Sequence, residues 1–158
     1  MRVLFASFLL LIATSCAPDG NGETVERLEM RLSGWSSLDI VIDAQGNGAY
    51  EDSEPYPDGK TGRFKLTQSE LLELLAKLEP YRAQAVPFSE ESAMGFIKRT
   101  CPKGVPKVTD AGAFYSRWLT ANHDIHYLAD FGCDPERLAD RNRELLQVVE
   151  GLPIPSGR

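Results

Sequence analysis

Two histidines and three cysteines are the side chains of this chain best suited to covalent or metal chemistry, and their placement limits what they can do. His123 and His126 are three residues apart. On an extended strand they point to opposite faces and cannot serve as a pair of ligands. Asp124 and His126 share a face, so the carboxylate could orient the imidazole as a general base. A hydrolase built this way also needs a nucleophile, and Ser116 on the neighbouring strand is the nearby hydroxyl. A small hydrolase using His126 is one expectation. The stronger expectation is a partly exposed strand histidine, and no catalytic residue is assigned.

Residues 43–54 carry a calcium-like pattern, with Asp43, Asn47, Gly48, Glu51 and Glu54 at the first, fifth, sixth, ninth and twelfth positions of an EF-hand loop. Gln45 departs at the third position. The flanks decide against the ion, because Ser37 to Ile42 alternates like a strand and Pro55 and Pro57 forbid an exit helix. A hairpin turn explains the same glycines and asparagine, and no metal is assigned. Asp130-Phe131-Gly132 matches the metal-binding tripeptide of kinases, but neither a Gly-rich loop nor a catalytic loop accompanies it. The chain has no phosphate-binding loop, dinucleotide fingerprint or nucleophile elbow, so no cofactor is expected.

The N-terminus is more specific. Arg2, an apolar run from Val3 to Ala13, and Ala13-Thr14-Ser15-Cys16 form a short secretory signal that ends on a cysteine. Eleven apolar residues rising 1.5 Å each fall short of a hydrocarbon core about 30 Å thick. The segment resembles the lipobox signal of bacterial lipoproteins, with Ala13 where Leu is commoner. The resemblance implies cleavage before Cys16, a diacylglyceryl thioether on its thiol and an acylated, palmitate-type amino group. Two or three acyl chains make such an anchor effectively permanent. Ala17 stands where an inner-membrane retention signal would place Asp, which implies the periplasmic face of the outer membrane. The strand-turn-strand at Asn47-Gly48-Ala49-Tyr50 and the helix after it are similar to modules of bacterial lipoproteins with no assigned activity.

With Cys16 used for lipid, Cys101 and Cys133 are an even pair in an oxidising compartment, and a disulfide between them is expected. The rival, a metal site of both cysteines with His126, lacks any Cys-x-x-Cys pair. Loss of residues 1–15 leaves 143 of the 158 residues, enough for one domain over 24–158 after a flexible tether at 16–23. The formal charge of −6 is dispersed rather than blocked, which argues against nucleic acid as a partner.

The elements that must position these residues follow from hydrophobic period. Leu28, Met30 and Leu32 alternate with Arg27, Glu29 and Arg31, and Leu38, Ile40 and Ile42 repeat the pattern. A turn over Gln45 to Gly48 leads to Ala49-Tyr50. Residues 51–60 read as an acidic loop, and Phe64 and Leu66 mark a fourth strand. Thr67 and Glu70 have capping-box spacing at the head of a helix with Leu71, Leu74, Leu75 and Leu78 on one face, ended by Pro80. A short helix is expected around Glu90 to Lys98. A second hairpin spans Ala113–Leu119 and Ile125–Phe131, with Phe114 and Trp118 sharing a face. Asp134 and Pro135 read as cap and first residue of a last helix that Gly151 stops. The predicted fold is α+β, an antiparallel sheet of about six strands from two hairpin regions, packed against two main helices.

These observations lead to a lipid-anchored periplasmic module that binds an envelope protein or a cell-wall component without catalysis. Trp35, Tyr50, Tyr56 and Trp118 are the candidate contacts, since exposed aromatics anchor interfaces. An acidic inhibitor of a cationic hydrolase such as a lysozyme is the alternative, using a loop with Glu51, Asp52, Glu54 and Asp58.

Overall fold

A computed structural model describes residues 23–53, 60–89 and 91–154. The signal, Cys16, the tether up to residue 22, Glu54, Tyr56 and Asp58 lie outside the described residues. In chain order the elements are β1 (Arg27–Ser33), β2 (Ser37–Asp43), β3 (Asn47–Ser53), β4 (Lys60–Lys65), α1 (Gln68–Arg82), β5 (Val86–Pro87), α2 (Ala93–Thr100), β6 (Ala113–Leu119), β7 (Asp124–Asp130) and α3 (Ala139–Glu150).

All strand pairs are antiparallel, and the sheet order is β4-β3-β2-β1-β6-β7-β5. The fold is thus α+β, with seven strands where about six were predicted. The added strand, β5, is two residues long and pairs Val86 with His126 and Pro87 with Ile125. The two hairpin regions meet where β1 pairs with β6, from Arg27 opposite Leu119 to Ser33 opposite Ala113.

Register gives the sheet two unlike faces, because residues directly opposite one another on antiparallel strands share a side. Leu28 lies between Ile42 and Trp118, Met30 between Ile40 and Ser116, and Leu32 between Leu38 and Phe114. Tyr127 and Ala129 extend this face on β7. It is covered by Leu71, Leu74, Leu78 and Tyr81 of α1 and by Leu145, Val148 and Val149 of α3, which form one buried cluster with it. The residues between, Arg27, Glu29, Arg31, Asp39, Val41, Tyr115 and Arg117, face the other way. No main helix covers them.

Helix α1 starts as its sequence dictates: Glu70 N donates to Thr67 Oγ1 at 3.3 Å, and Thr67 N donates to Glu70 Oε2 at 2.7 Å. It does not end at Pro80. The helix runs on to Arg82 because Tyr81 is buried against Tyr127 and donates to Glu144 of α3 at 2.7 Å. Tertiary packing there outweighs the bond that proline cannot make.

Three further boundaries differ from the sequence expectation. The short helix runs from Ala93 to Thr100, with Ser92 capping Gly95 N. Strand β3 continues to Ser53, so Glu51 and Asp52 are paired with Thr61 and Lys60 rather than looped. Helix α3 begins at Ala139, not after Asp134. Asp134 has φ +45°, which an N-cap does not adopt. It is held there by its own N–H, which donates to Pro106 O, and by Arg137 Nε on its carboxylate.

Candidate functional site

His126 lies on the face of β7 away from the main helices, directly opposite Arg117 of β6. It is not the partly exposed histidine that was expected: only 1% of it is accessible. Phe88, Tyr115 and Phe96 enclose the imidazole, with ring centroids 5.4, 5.7 and 6.0 Å away. Neither ring nitrogen has a hydrogen-bond partner among the described residues. Asp124 shares its face, as predicted, but is engaged by Arg117, whose Nε and Nη2 donate to its two oxygens at 2.7 Å each. Ser116 pairs with Tyr127 on the opposite side of the sheet. The proposed base and nucleophile are separated by the sheet itself, because residues 116 and 126 are offset by one position in register. His123 is an exposed turn residue 3.7 Å from Glu23.

The calcium-like segment is the β2–β3 turn. Asp43 Oδ1 accepts from Gln45 N and Asn47 N at 2.9 Å each, and Oδ2 accepts from Asn47 Nδ2 at 2.7 Å. Lys65 Nζ donates to Asn47 Oδ1 and to Gln45 O. The turn glycine is Gly46, with φ +80°, two residues before the Gly48 of the predicted turn. Gly48 sits in β3 beneath the Phe64 ring, where any side chain would collide. Partial desolvation pushes the Asp43 carboxyl up, but its donors and Lys65 prevail and hold it below the ordinary carboxylate range.

Cys101 and Cys133 are at bonding distance, with alpha carbons 5.8 Å apart. The link ties the end of α2 to the loop after β7, where Lys107 also bridges to Cys133. Of the four candidate contact aromatics, Trp35 in the β1–β2 turn is 87% exposed, while Trp118 is fully buried and is core. Tyr50 is half-buried over Gly62 on the helix side of the sheet. Tyr56 lies outside the described residues.

The open face carries a groove of about 500 Å³ that was not anticipated. Strand β1 supplies Arg27, Glu29 and Arg31; β2 supplies Asp39 and Val41; β6 and β7 supply Tyr115, Arg117 and Leu128; Phe88 and Ala93 wall one side. Strand period alone brings these alternate residues to one surface. Arg31 Nε meets Asp39 Oδ1 at 2.5 Å, and Arg27 Nε meets Glu29 Oε1 at 2.9 Å. Arg117 is the fixed member. Its fork on Asp124 is joined by Glu29 at 3.5 Å, and its guanidinium stacks 3.9 Å from the Phe88 ring centroid. Hydrogen bonds from Arg117, acting against desolvation, hold the Asp124 carboxyl low. Burial pushes the Tyr115 phenol up. Ser33 lines both this groove and the hollow beside Trp35, so the exposed indole stands at the groove's end.

Comparison of the sequence with protein-family models and with curated proteins finds no match.

Proposed function

We propose that the chain is a lipid-tethered module of the cell envelope, on the periplasmic face of the outer membrane, that binds a partner through the open face of its sheet. The groove over β1, β2 and β6 carries this reading. Two main helices cover one face, while the other keeps Tyr115, Phe88, three arginines and Trp35 at a solvent-facing surface. Aromatics and arginine are the residue types enriched at interface hot spots. The lipobox ending at Cys16 supports the anchor, and the bonded cysteine pair suits an oxidising compartment.

Chain direction supports the orientation. Glu23, the first described residue, is bonded to Asn122 at the β6–β7 turn, and β1 runs from that end to Trp35. Seven strand residues at about 3.3 Å each put the indole some 23 Å from the tethered end. The Trp35 end of the groove is then the end remote from the lipid, while Arg27 stands at the tethered end.

The test is co-purification from detergent-solubilised membranes with the paired change Phe88→Ala, Tyr115→Ala. A partner recovered with the natural protein and with Leu72→Ala, on the helical side, should be lost with the open-face pair. Equal recovery with all three proteins would refute the assignment of the face.

A further inference from the structure

We propose that the hollow beside Trp35, at the remote end of the groove, takes an arginine side chain of a protein partner, its guanidinium stacked on the indole and its fork on the Asp110 carboxylate. This rests on the open face being the binding surface and names the group that anchors the partner at its far end.

Charge selects a cation. The groove carboxylates Glu29, Asp39 and Asp124 are each paired with an arginine. Asp110 and Trp35 are exposed, and among the described residues neither side chain has a hydrogen bond, ion pair or ring contact. They line one hollow of about 470 Å³ with Ser33, Gly34 and Gly112. No cation lines it, so an anion would find no counter-charge there. The indole is its one large apolar group, so a purely apolar side chain would be covered on one side alone. A flat ring beside an unmatched carboxylate suits a flat cation, and guanidinium is the planar one among side chains. The chain's net charge of −6 favours a basic partner in the same sense.

The molecule already holds one arginine in this way. Arg117 stacks 3.9 Å from the Phe88 ring centroid and donates to both oxygens of Asp124 at 2.7 Å each. Ring and carboxylate there satisfy the face and the edge of one guanidinium. Trp35 and Asp110 offer the same two groups with no arginine of this chain between them, and an indole attracts a cation over its face better than a phenyl ring does.

Packing keeps the two together. Gly112, at φ +82°, approaches β1 so closely that an added Cβ would stand 2.2 Å from Ser33 O. Ser33 Oγ donates to Ala113 O at 3.3 Å, and Phe131 N donates to Gly112 O at 3.0 Å. The loop that carries Asp110 is thus fixed against the base of the Trp35 turn, which lowers the ordering cost of binding.

The probe is the acetylated, amidated tripeptide glycine-arginine-glycine, titrated into the mature lipoprotein in neutral detergent. Nuclear magnetic resonance follows the indole N–H signals of the protein and the arginine side-chain signals of the peptide. The expected result is a saturable, salt-sensitive shift of the Trp35 indole, with the buried Trp118 indole unmoved as internal control. Binding should weaken roughly fivefold or more with Asp110→Asn, with Trp35→Ala, and with lysine or citrulline in place of the peptide arginine. Trp35→Phe should keep part of it, because a smaller ring still stacks. Melting temperatures of the variants confirm that the fold is intact. No saturable shift, binding indifferent to Asp110→Asn, or equal binding of the citrulline peptide overturns the proposal. So does a soluble cell-wall glycan that moves the Trp35 signal and is not displaced by the arginine peptide. If the peptide fails while Phe88→Ala, Tyr115→Ala still releases the natural partner, the open-face reading stands and this ligand assignment alone is wrong.

Discussion

His126 is where single residues teach most. Its one-letter context, a strand histidine beside an aspartate, suggests surface chemistry, yet three rings enclose it and the aspartate belongs to Arg117. Nothing local to His126 signals this, because Phe88 and Phe96 arrive from residues some 30 to 38 positions away. Truncation to alanine should behave as loss of a buried ring, costing about 3 kcal/mol in urea denaturation. His126→Phe puts a somewhat larger apolar ring in its place and removes two unpaired polar atoms, so it should cost far less than the alanine change. A phenylalanine variant as damaged as the alanine one would show that the ring nitrogens matter. Asp43 gives the converse case, a residue read for metal that organises a turn. Its folded pKa lies below the unfolded value near 3.9. The stability it contributes is present above that value and is lost as pH falls through the lowered folded value. Asp43→Asn should thus lower the melting temperature at pH 7 and make little difference near pH 2.

Among elements, those with complete local signals were legible. The Thr67/Glu70 box and the leucine stripe define the start and buried face of α1 within a dozen residues, and period 2 marks β1, β2, β6 and β7 with nearly their observed limits. Thr67→Ala should cost about 1 kcal/mol, seen as a lower urea midpoint at unchanged slope. An unchanged midpoint would mean that α1 is held by packing alone. Where the signal is non-local, the reading failed. Pro80 does not stop α1 because Tyr81 is anchored to Glu144, 63 residues on. The Asp134-Pro135 start of α3 is displaced to Ala139 because the neighbouring Cys133 is bonded to Cys101 and Asp134 N–H is taken by Pro106. That bond closes a separation of 32 residues, and in the chain-entropy model its loss costs about 3 to 4 kcal/mol. Replacing both cysteines by serine should lower the denaturation midpoint accordingly, and a shift under about 1 kcal/mol would argue that residues 101–133 are held without it.

At the scale of the whole molecule, fold class was readable because hairpins followed by helices leave few alternatives, whereas the binding surface was not. Which side of the sheet stays open depends on β1 pairing with β6, some 85 residues apart, and on both main helices choosing the Leu28 side. Only then do Arg27, Glu29, Arg31, Tyr115 and Arg117, each unremarkable in sequence, become one groove. Trp118, chosen for its type, proved to be core, and Trp35 alone of the described candidates stands well exposed. One geometric claim is central, that this molecule meets its partner with the sheet and not with the helices. A photoreactive amino acid placed at position 115 on the open face, or at position 72 on exposed α1, tests it in intact cells. Irradiation should give a discrete higher-mass adduct from position 115 and none from position 72; an adduct from position 72 alone, or from neither position, would contradict it.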